Sequence, residues 1–296
     1  MKHGNFELSI LRECKFRLDG GAMYGVVPKT LWAKQAQADD LNRVLLACNL
    51  LLIDTGAAKV LVETGMGSRW PQKEAERYDL HTLGTADQLL DQVGLTVDDI
   101  DFVIISHLHF DHAGGATIER DGKIIPTFPN AKYIAQQGEF DFSFKANARA
   151  KASYRKDDYV PLQEHGQLVL VDGDHEVTPG VWVKVTGGHT SHHQVVYWES
   201  AGQKGVYFAD IIPTKSHVTP PWVMGYDHFP LASCDIKSEW LSKAAAENWL
   251  VVFDHEPGIP WGHVSLSDKG KFDFATLDAS SLEFASGKGR ALASVV

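Results

Sequence analysis

Residues 102–112 read Phe-Val-Ile-Ile-Ser-His-Leu-His-Phe-Asp-His and join a short apolar run to a cluster of histidines. The run Phe102–Ile105 is typical of a buried strand. Alternate side chains of an extended segment share a face, and a turn brings the following side chains round to the same volume. We therefore expect four metal-binding side chains to converge at this strand's end: His107, His109, Asp111 and His112.

Imidazole nitrogens and carboxylate oxygens are good ligands for zinc. With 14 histidines in 296 residues, chance produces three histidines and an aspartate at this spacing in roughly one of several hundred such chains. The motif therefore predicts a metal site rather than an accidental cluster. A rigid strand end suits such a site, because little conformational entropy is left to lose when the ion binds.

Composition argues against several classes of partner. The formal net charge is −10 and the basic residues are scattered, which is poor material for binding a phosphate backbone. We expect no nucleic-acid partner. The longest near-apolar run, Val44–Ile53, is about half the length of a membrane helix, so it predicts a core strand and no membrane partner.

The expected compartment is the cytoplasm. The first residues, Met1–Glu7, lack the uninterrupted apolar stretch of a secretory signal. Cys14, Cys48 and Cys234 are far apart and show no CxxC spacing, so they indicate neither a disulfide framework nor a cysteine metal site. Both observations favour a reducing environment.

The pattern of apolar residues predicts a mixed α/β class. Helical periodicity appears at Thr85–Val93, Gly138–Ala152 and Lys237–Trp249. The turn Asp54-Thr55-Gly56 suggests a β-hairpin start, and no linker or repeat divides the chain. A single domain over residues 1–296 is the simplest interpretation. Short β-branched runs predict strands at Leu50–Ile53, Lys59–Glu63, Phe102–Ile105, Lys132–Ala135, Leu168–Val171, Val181–Val185, Val195–Trp198 and Val206–Ala209.

The histidine cluster resembles the HxHxDH signature of the metallo-β-lactamase superfamily. Further motifs follow in that family's order, each after a predicted strand. The segment Gly187-Gly188-His189-Thr190 is similar to the family's GHT segment. Asp210 matches the aspartate that bridges two metals, and His255 in Val252–Pro257 matches the last ligand.

The resemblance implies a four-layer αββα sandwich, with two mixed sheets face to face, helices outside and metals at one edge. It implies two divalent ions, most naturally zinc, with Mn, Fe or Co as alternatives. One ion would bind His107, His109 and His189. The second would bind Asp111, His112 and His255, and the two ions would share Asp210.

Two of these assignments compete with other interpretations of the sequence. Taken alone, Asp210 is better explained as a turn residue that ends a strand, and only its order and context among the motifs favour the ligand role. His263 in Trp261-Gly262-His263 competes with His255, which we prefer because it directly follows a strand. We do not expect His192 or His193 to be ligands, because they fall where the family often has a glycine and a structural histidine.

The segment Leu18–Lys29 looks like the N-terminal segment of a branch that includes quorum-quenching N-acyl homoserine lactonases and methyl parathion hydrolase-like proteins. That likeness implies that residues 1–43 line the substrate pocket or a dimer contact, and it predicts a homodimer. A second apolar patch, Pro220–Tyr226, follows the bridging aspartate. Ordinary core packing explains both patches almost equally well. The candidate substrate-binding residues are Met23, Tyr24, Trp222, Met224, Tyr226 and His217.

The implied activity is metal-dependent hydrolysis by a hydroxide that bridges the two ions. Asp111 and Asp210 are the candidate catalytic residues, and the expected substrate is a small hydrophobic lactone, such as an N-acyl homoserine lactone, or an ester. One departure matters: typical homoserine lactonases have a tyrosine three residues after the bridging aspartate, whereas this chain has Pro213. Tyr24, Tyr226 or His217 are possible replacements.

Other activities remain open at the level of sequence. The first alternative is a phosphotriester or aryl ester hydrolase of the methyl parathion hydrolase type. A mononuclear iron persulfide dioxygenase fits less well. Flavodiiron proteins usually carry glutamate where this chain has His109, and a noncatalytic relative would be expected to have lost ligands.

Overall fold

Two mixed β-sheets form the centre of the molecule in a computed structural model that describes residues 1–277. In chain order the strands are β1 (Lys2–His3), β2 (Phe6–Asp19), β3 (Arg43–Asp54), β4 (Lys59–Val62), β5 (His81–Thr82), β6 (Phe102–Ile104), β7 (Thr117–Arg120), β8 (Lys123–Pro126), β9 (Lys132–Gln136), β10 (Leu168–Val171), β11 (His175–Thr178), β12 (Val181–Val185), β13 (Gln194–Ser200), β14 (Gln203–Tyr207), β15 (Leu250–Val252), β16 (Trp261–Leu266) and β17 (Phe272–Thr276). The helices are α1 (Gly20–Tyr24), α2 (Lys29–Trp32), α3 (Gln72–Arg77), α4 (Ala86–Asp91), α5 (Phe110–Ala113), α6 (Gln137–Ser143), α7 (Val160–Glu164) and α8 (Pro230–Ala246).

The first sheet has the strand order β1-β2-β3-β4-β6-β9-β10, with β5 added beside β2. Its first three pairings are antiparallel, and β4, β6, β9 and β10 run parallel to one another. The predicted hairpin joins β3 to β4, with Gly56 at a φ of +82°. The histidine motif leaves β6 at the end to which the parallel strands point.

The second sheet has the order β11-β12-β13-β14-β15-β16-β17. Successive pairings are antiparallel except for the parallel pair β14 and β15. Strands β12, β14 and β15 therefore point in one direction. Their carboxyl ends meet at one edge of the sheet, which is where the segments with His189, Asp210 and His255 begin.

Apolar side chains fill the space between the sheets and on both outer faces. Val62 and Ile104 of the first sheet pack in the same buried cluster as Val183 and Val252 of the second. Helices α4, α6 and α7 cover the far side of the first sheet. Helix α8 covers the second sheet through residues such as Leu241. Burial of each large apolar side chain contributes about 1.5–3 kcal/mol to the free energy of unfolding. The two sheets with helices on both outer faces match the predicted αββα sandwich.

The N-terminal segment differs from expectation because it contributes a long strand. Strand β2 pairs with almost the whole of β3, and a bulge between Arg12 and Cys14 interrupts the register. After β2, helices α1 and α2 pack on a separate buried cluster that includes Met23, Trp32 and Met224. Residues 1–43 are thus part of the sheet as well as a cover for one of its faces.

Three predicted boundaries are wrong for local reasons. The helix predicted over Gly138–Ala152 ends at Ser143, and the Asn147 side chain then accepts from the backbone N–H groups of two later residues in a turn. The last predicted helix begins at Pro230 and ends before Asn248, whose φ is +52°. The strand expected to reach Ala209 stops at Tyr207, because Ala209 has a φ of +46°.

Within residues 1–277, none of the helices combines the length and the apolar character needed to cross a bilayer.

Candidate metal centre

Three histidines and one aspartate converge as a first donor group. The Nδ1 atom of His109 lies 2.9 Å from Nε2 of His107 and 3.2 Å from Nε2 of His189. Oδ2 of Asp210 lies 3.0 Å from the same His189 nitrogen. All four side chains are buried, and one donor atom from each lies within 4.8 Å of the others. This spacing suits a single metal ion.

A second donor group lies beside the first. Asp111, His112 and His255 are buried, and their donor atoms also lie within 4.8 Å of one another. Oδ2 of Asp111 is 3.6 Å from Nε2 of His255, and Oδ1 is 3.7 Å from Nε2 of His112. The HxHxDH motif is therefore divided between the two groups, two residues to each.

Asp210 reaches both donor groups. Its Oδ2 faces His189 in the first group and lies 3.5 Å from Nε2 of His112 in the second. Its Oδ1 lies 3.1 Å from Nε2 of His255. A carboxylate in this position can hold two cations at once, so the geometry matches the shared role that the resemblance implies for Asp210.

The donor set fits divalent cations. Within the described residues, Nε2 of His112, Nε2 of His255 and Oδ1 of Asp210 are buried without a hydrogen-bond partner. Buried polar atoms without partners are costly and therefore uncommon in proteins. Here they all point into one volume with the lone pairs that zinc and similar ions bind. His/Asp groups that can hold metal are thus present, as predicted.

The ionisation of His107, His109 and Asp210 suits metal binding. Burial, followed by the proximity of the other histidines, lowers the pKa of His107 and His109 well below the ordinary value. For Asp210, burial opposes ionisation, but His189, His112 and His255 outweigh it and hold the pKa well below the ordinary value. Neutral imidazoles and an ionised carboxylate are the forms that coordinate a metal. At His112, His189 and His255 burial lowers the pKa, but the nearby carboxylates outweigh it and raise the pKa above the ordinary value, so a cation that binds there displaces protons.

Close backbone packing fixes the loops that carry the ligands. Gly188 has a φ of +83°, and a Cβ there would lie 2.8 Å from side-chain atoms of Ile211 and Ser233. A Cβ on Gly115 would lie 2.1 Å from the backbone oxygen of Thr64. Both positions require glycine, which explains the glycines of the GHT segment and of the turn after His112.

Several buried carboxylates near the ligands were not predicted from the sequence. Oδ1 of Asp227 lies 2.9 Å from Nδ1 of His189 in a hydrogen bond. Glu139 accepts from the backbone N–H of Leu108 and from the Thr190 hydroxyl, so it joins two ligand loops. These residues lie far from the motifs in sequence, and no spacing rule identifies them.

Two further carboxylates flank the other side of His112. Oδ2 of Asp254 is 3.0 Å and Oε1 of Glu63 is 3.5 Å from Nδ1 of His112, although neither contact has hydrogen-bond geometry. Glu63 also has a φ of +65°. The position of Asp254 directly before His255 was the one available sequence signal for this pair.

The structure places the remaining histidines outside both donor groups. Nδ1 of His263 lies 3.0 Å from the backbone oxygen of Trp249 in the second sheet. His193 is fully buried and contacts the Thr186 hydroxyl at 2.7 Å. The His192 ring lies against Gly138. The geometry therefore agrees with choosing His255 over His263.

The predicted substrate-binding residues of the N-terminal segment are largely engaged within the protein. Met23 is fully buried. The hydroxyl of Tyr24 lies 2.9 Å from Oγ of Ser216. His217 is fully buried and uses one ring nitrogen for Thr214 and the other for the Met23 carbonyl. Neither nitrogen of His217 is free for a substrate, which counts against that assignment.

Tyr226 is half-buried, and two of the predicted ligands influence the pKa of its hydroxyl. Burial raises its pKa, and the negative charges of Asp19, Asp111 and Asp210 raise it further. Tyr226 packs with Trp222 and Met224, two other residues of the same predicted patch, in the cluster beneath the N-terminal segment.

An aromatic group that was not predicted lies beside the second donor group. The rings of Trp70, Tyr78 and Phe110 pack at centroid distances of 5.3 to 5.4 Å. Phe110 precedes Asp111 in the chain, and burial followed by the Asp111 charge raises the pKa of Tyr78. A cavity of about 660 Å³ lies elsewhere: Tyr24 and Glu256 line it, and none of the seven predicted ligands does.

Sequence comparison relates the chain to known proteins. The profile described as the metallo-beta-lactamase superfamily matches residues 43–269. An N-acyl homoserine lactonase of Bacillus cereus is 29% identical over 248 residues, which cover 78% of this chain and 89% of that protein. An N-acyl homoserine lactonase of a Bacillus species is 31% identical over 230 residues, which cover 74% and 82%.

Solved structures are similar over nearly the whole chain. A probable metal-dependent hydrolase from Staphylococcus aureus superimposes with a TM-score of 0.85 at 31% identity, covering 94% of this chain and 100% of that one. AidC, a dizinc quorum-quenching lactonase in complex with a product, N-hexanoyl-L-homoserine, has a TM-score of 0.77 at 22% identity and covers 94% and 96%. At 22% identity the second likeness is evidence for the fold alone.

Proposed function

This chain belongs to the metallo-β-lactamase superfamily, and from that premise we propose that it is a dinuclear metal-dependent hydrolase that opens the ring of N-acyl homoserine lactones. The observation that carries the proposal is the pair of buried donor groups that share Asp210. Two groups with one bridging carboxylate suit two ions rather than one. A mononuclear iron enzyme would leave the second group unexplained.

In this proposal His107, His109 and His189 hold one ion, while Asp111, His112 and His255 hold the other. When bound, two such ions supply a nucleophile by lowering the pKa of water, and they polarise the carbonyl that is attacked. The protein's own contribution is to fix the donors in advance. Ser106 helps to fix the ring of His107, because the Ser106 hydroxyl lies 2.9 Å from Nδ1 of His107. This contact leaves Nε2 of His107 directed to the first donor group.

Asp111 is the proposed proton carrier. Its carboxylate belongs to the second donor group, and it is one of the least deeply buried of the seven donors at 7% exposure. It can accept a proton from the attacking water on one oxygen and return it to the departing alcohol oxygen of the lactone. The ring-opened product is then a carboxylic acid, which releases its proton to solvent and becomes a carboxylate, and a hydroxyl group.

The surroundings of the donors favour a substrate with an apolar part. Trp70, Tyr78 and Phe110 form an aromatic surface next to Asp111. Such a surface suits an acyl chain. The two lactonase relatives at 29% and 31% identity support the homoserine lactone class as the first choice.

Tyr226 is the proposed contact for the substrate carbonyl oxygen. Pro213 stands where lactonases of this kind have a tyrosine, so a phenol must come from elsewhere. Ser216 engages the Tyr24 hydroxyl, and both nitrogens of His217 have protein partners. Of the three candidates from the sequence, this leaves Tyr226, whose pKa is raised by burial and then by the charges of Asp19, Asp111 and Asp210.

The absence of that tyrosine at position 213 also favours a second candidate, the hydrolysis of phosphotriesters or aryl esters. These substrates have good leaving groups and depend less on an added hydrogen-bond donor.

The proposed single domain over residues 1–296, the homodimer and the cytoplasmic location are predictions of the same hypothesis. Light scattering of the purified protein tests the homodimer.

The decisive experiment measures bound metal and turnover together. We expect purified protein to contain two equivalents of zinc or a similar ion per chain by elemental analysis. We also expect it to open N-hexanoyl homoserine lactone much faster than the free ion does, with paraoxon and an aryl ester as comparison substrates. A protein with one iron and oxygen consumption on a persulfide would refute the proposal. Faster turnover of paraoxon than of every lactone would move the assignment to the second candidate.

A further inference from the structure

Asp227 connects His189, one of the proposed metal ligands, to the chain segment that also carries Tyr226. Its carboxylate is 3% exposed, and Oδ1 lies 2.9 Å from Nδ1 of His189. An acceptor at this place keeps the imidazole proton on Nδ1 and directs the lone pair of Nε2 away from Asp227. That nitrogen lies 3.0 Å from Oδ2 of Asp210, inside the first donor group.

Residues 219–229, which we call the wall segment, are tied to the same loop by the backbone. The N–H of His228 donates to the carbonyl of His189 at 2.9 Å, and the N–H of Phe229 donates to that of Gly188 at 3.0 Å. Together with the Asp227 contact, these are three hydrogen bonds over three consecutive residues. The wall segment and the loop of His189 are therefore joined at three consecutive residues.

The wall segment is itself held from three other elements. The Arg149 side chain donates to the carbonyls of Gly225 and Asp227. The buried Lys237 of α8 donates to the carbonyls of Thr219 and Trp222. The N–H of Gly225 donates to Ala22 of α1 at 2.8 Å. This many contacts leave the Asp227 carboxylate in a fixed position.

We propose that Asp227 is a positioning residue for His189: it fixes the tautomer and orientation of this imidazole and thereby sets the affinity of the first donor group for its ion. The inference rests on the proposed dinuclear site. Asp227 does not face the second donor group, in which Nδ1 of His255 lies 2.9 Å from the carbonyl oxygen of Ala47 and Nδ1 of His112 lies 3.0 Å from Oδ2 of Asp254. Loss of Asp227 should therefore affect the two ions unequally.

The test is metal binding by Asp227→Asn, which keeps the size of the side chain and can turn a donor toward Nδ1 of His189. Metal-free wild type and variant are titrated with Co²⁺ and followed by the visible absorption of the bound ion, with a chelator of known affinity in competition. We expect one of the two Co²⁺ affinities to fall by about 10- to 100-fold, while the other changes by less than about threefold. Asp227→Glu, which restores an acceptor, should recover part of the loss. Asp235→Asn, the same change at an exposed position on α8, is the matched control and should bind both ions as the wild type does.

The outcomes separate the inference from the proposed function. If wild type binds two Co²⁺ ions and Asp227→Asn binds both with unchanged affinity, Asp227 does not position His189 and the dinuclear proposal stands. If both affinities fall together, or if the thermal midpoint of the metal-free variant falls below that of the Asp235→Asn control, the role is general folding and the inference is overturned. If wild type binds no more than one ion, the proposed function fails first.

Discussion

At the scale of single residues, the choice between His255 and His263 is the sharpest test of the donor geometry. Nε2 of His255 lies 3.1 Å from Asp210, whereas His263 lies on β16 and contacts the Trp249 carbonyl. We expect His255→Ala to lower bound metal from two ions to one and kcat by roughly a hundredfold or more. His263→Ala should keep both ions and lose about 1 kcal/mol of stability with its hydrogen bond. Elemental analysis measures the bound metal and steady-state kinetics measures kcat. Equal metal loss in both variants would contradict the choice of His255 as the ligand.

A second prediction at this scale concerns the hydroxyl of Tyr226. If this hydroxyl contacts the substrate carbonyl oxygen, Tyr226→Phe should lower kcat for the lactone by roughly a hundredfold with little change in KM. Metal content should stay at the wild-type value. Tyr197→Phe removes a hydroxyl that contacts Glu199 on the second sheet and serves as the control. A Tyr226→Phe enzyme with wild-type kcat would require another residue for this role.

At the scale of helices and strands, the sequence predicted the elements that carry a strong local signal. The apolar run before His107 and the hairpin after β3 both appear as expected. The sequence predicted the ends of helices and strands less well where the backbone conformation of the next residues ends the helix or strand. A left-handed backbone at Ala209 and at Asn248 depends on the packing of distant segments, which periodicity does not report.

The outer carboxylates of the site could not be predicted for a related reason. The seven donors follow strand ends in an order that resembles a known family, so each has a local marker. Asp227 and Glu139 reach the donors from a loop and a helix instead. Their role depends on tertiary contacts between residues about 40 to 50 positions apart, for which a single sequence contains no spacing rule.

Helix α8 supports a prediction about pH. Burial lowers the pKa of Lys237 to about 7, although Asp227 and Cys234 partly oppose this shift, and the neighbouring His217 has its own pKa lowered to about 3 by burial and by this lysine. The unfolded chain keeps the lysine proton up to about pH 10. Between pH 7 and 10 the unfolded state therefore binds more protons, and this group makes stability rise with pH.

The measurement is urea unfolding of metal-free protein across that range. The wild-type free energy of unfolding should rise relative to that of Lys237→Met by up to about 1.4 kcal/mol per pH unit. Lys145→Met, at an exposed position, should show the wild-type slope. Parallel pH profiles for wild type and Lys237→Met would mean that Lys237 stays charged in the folded protein.

At the scale of the whole molecule, the donors join the two sheets. The motif after β6 supplies four of them from the first sheet, and the second sheet supplies His189, Asp210 and His255. Removal of metal should therefore destabilise the complete fold rather than one loop. Each ion at a free concentration of 1,000 times its Kd adds about 4 kcal/mol. Calorimetry should show a lower unfolding midpoint after chelation, and restored zinc should reverse the change. An unchanged midpoint would contradict strong binding of either ion.

The position of the donors along the chain also has a consequence for synthesis. A nascent polypeptide that has left the ribosome as far as β10 already contains His107 to His112, yet His255 emerges more than 80 residues later. During that interval the partial product exposes four donors without the partners that complete their coordination. The first donor group is complete once Asp210 has emerged, whereas the second ion has to wait for His255, so loading of the second ion should be a late event and premature termination before residue 255 should give protein that is unable to retain both cations.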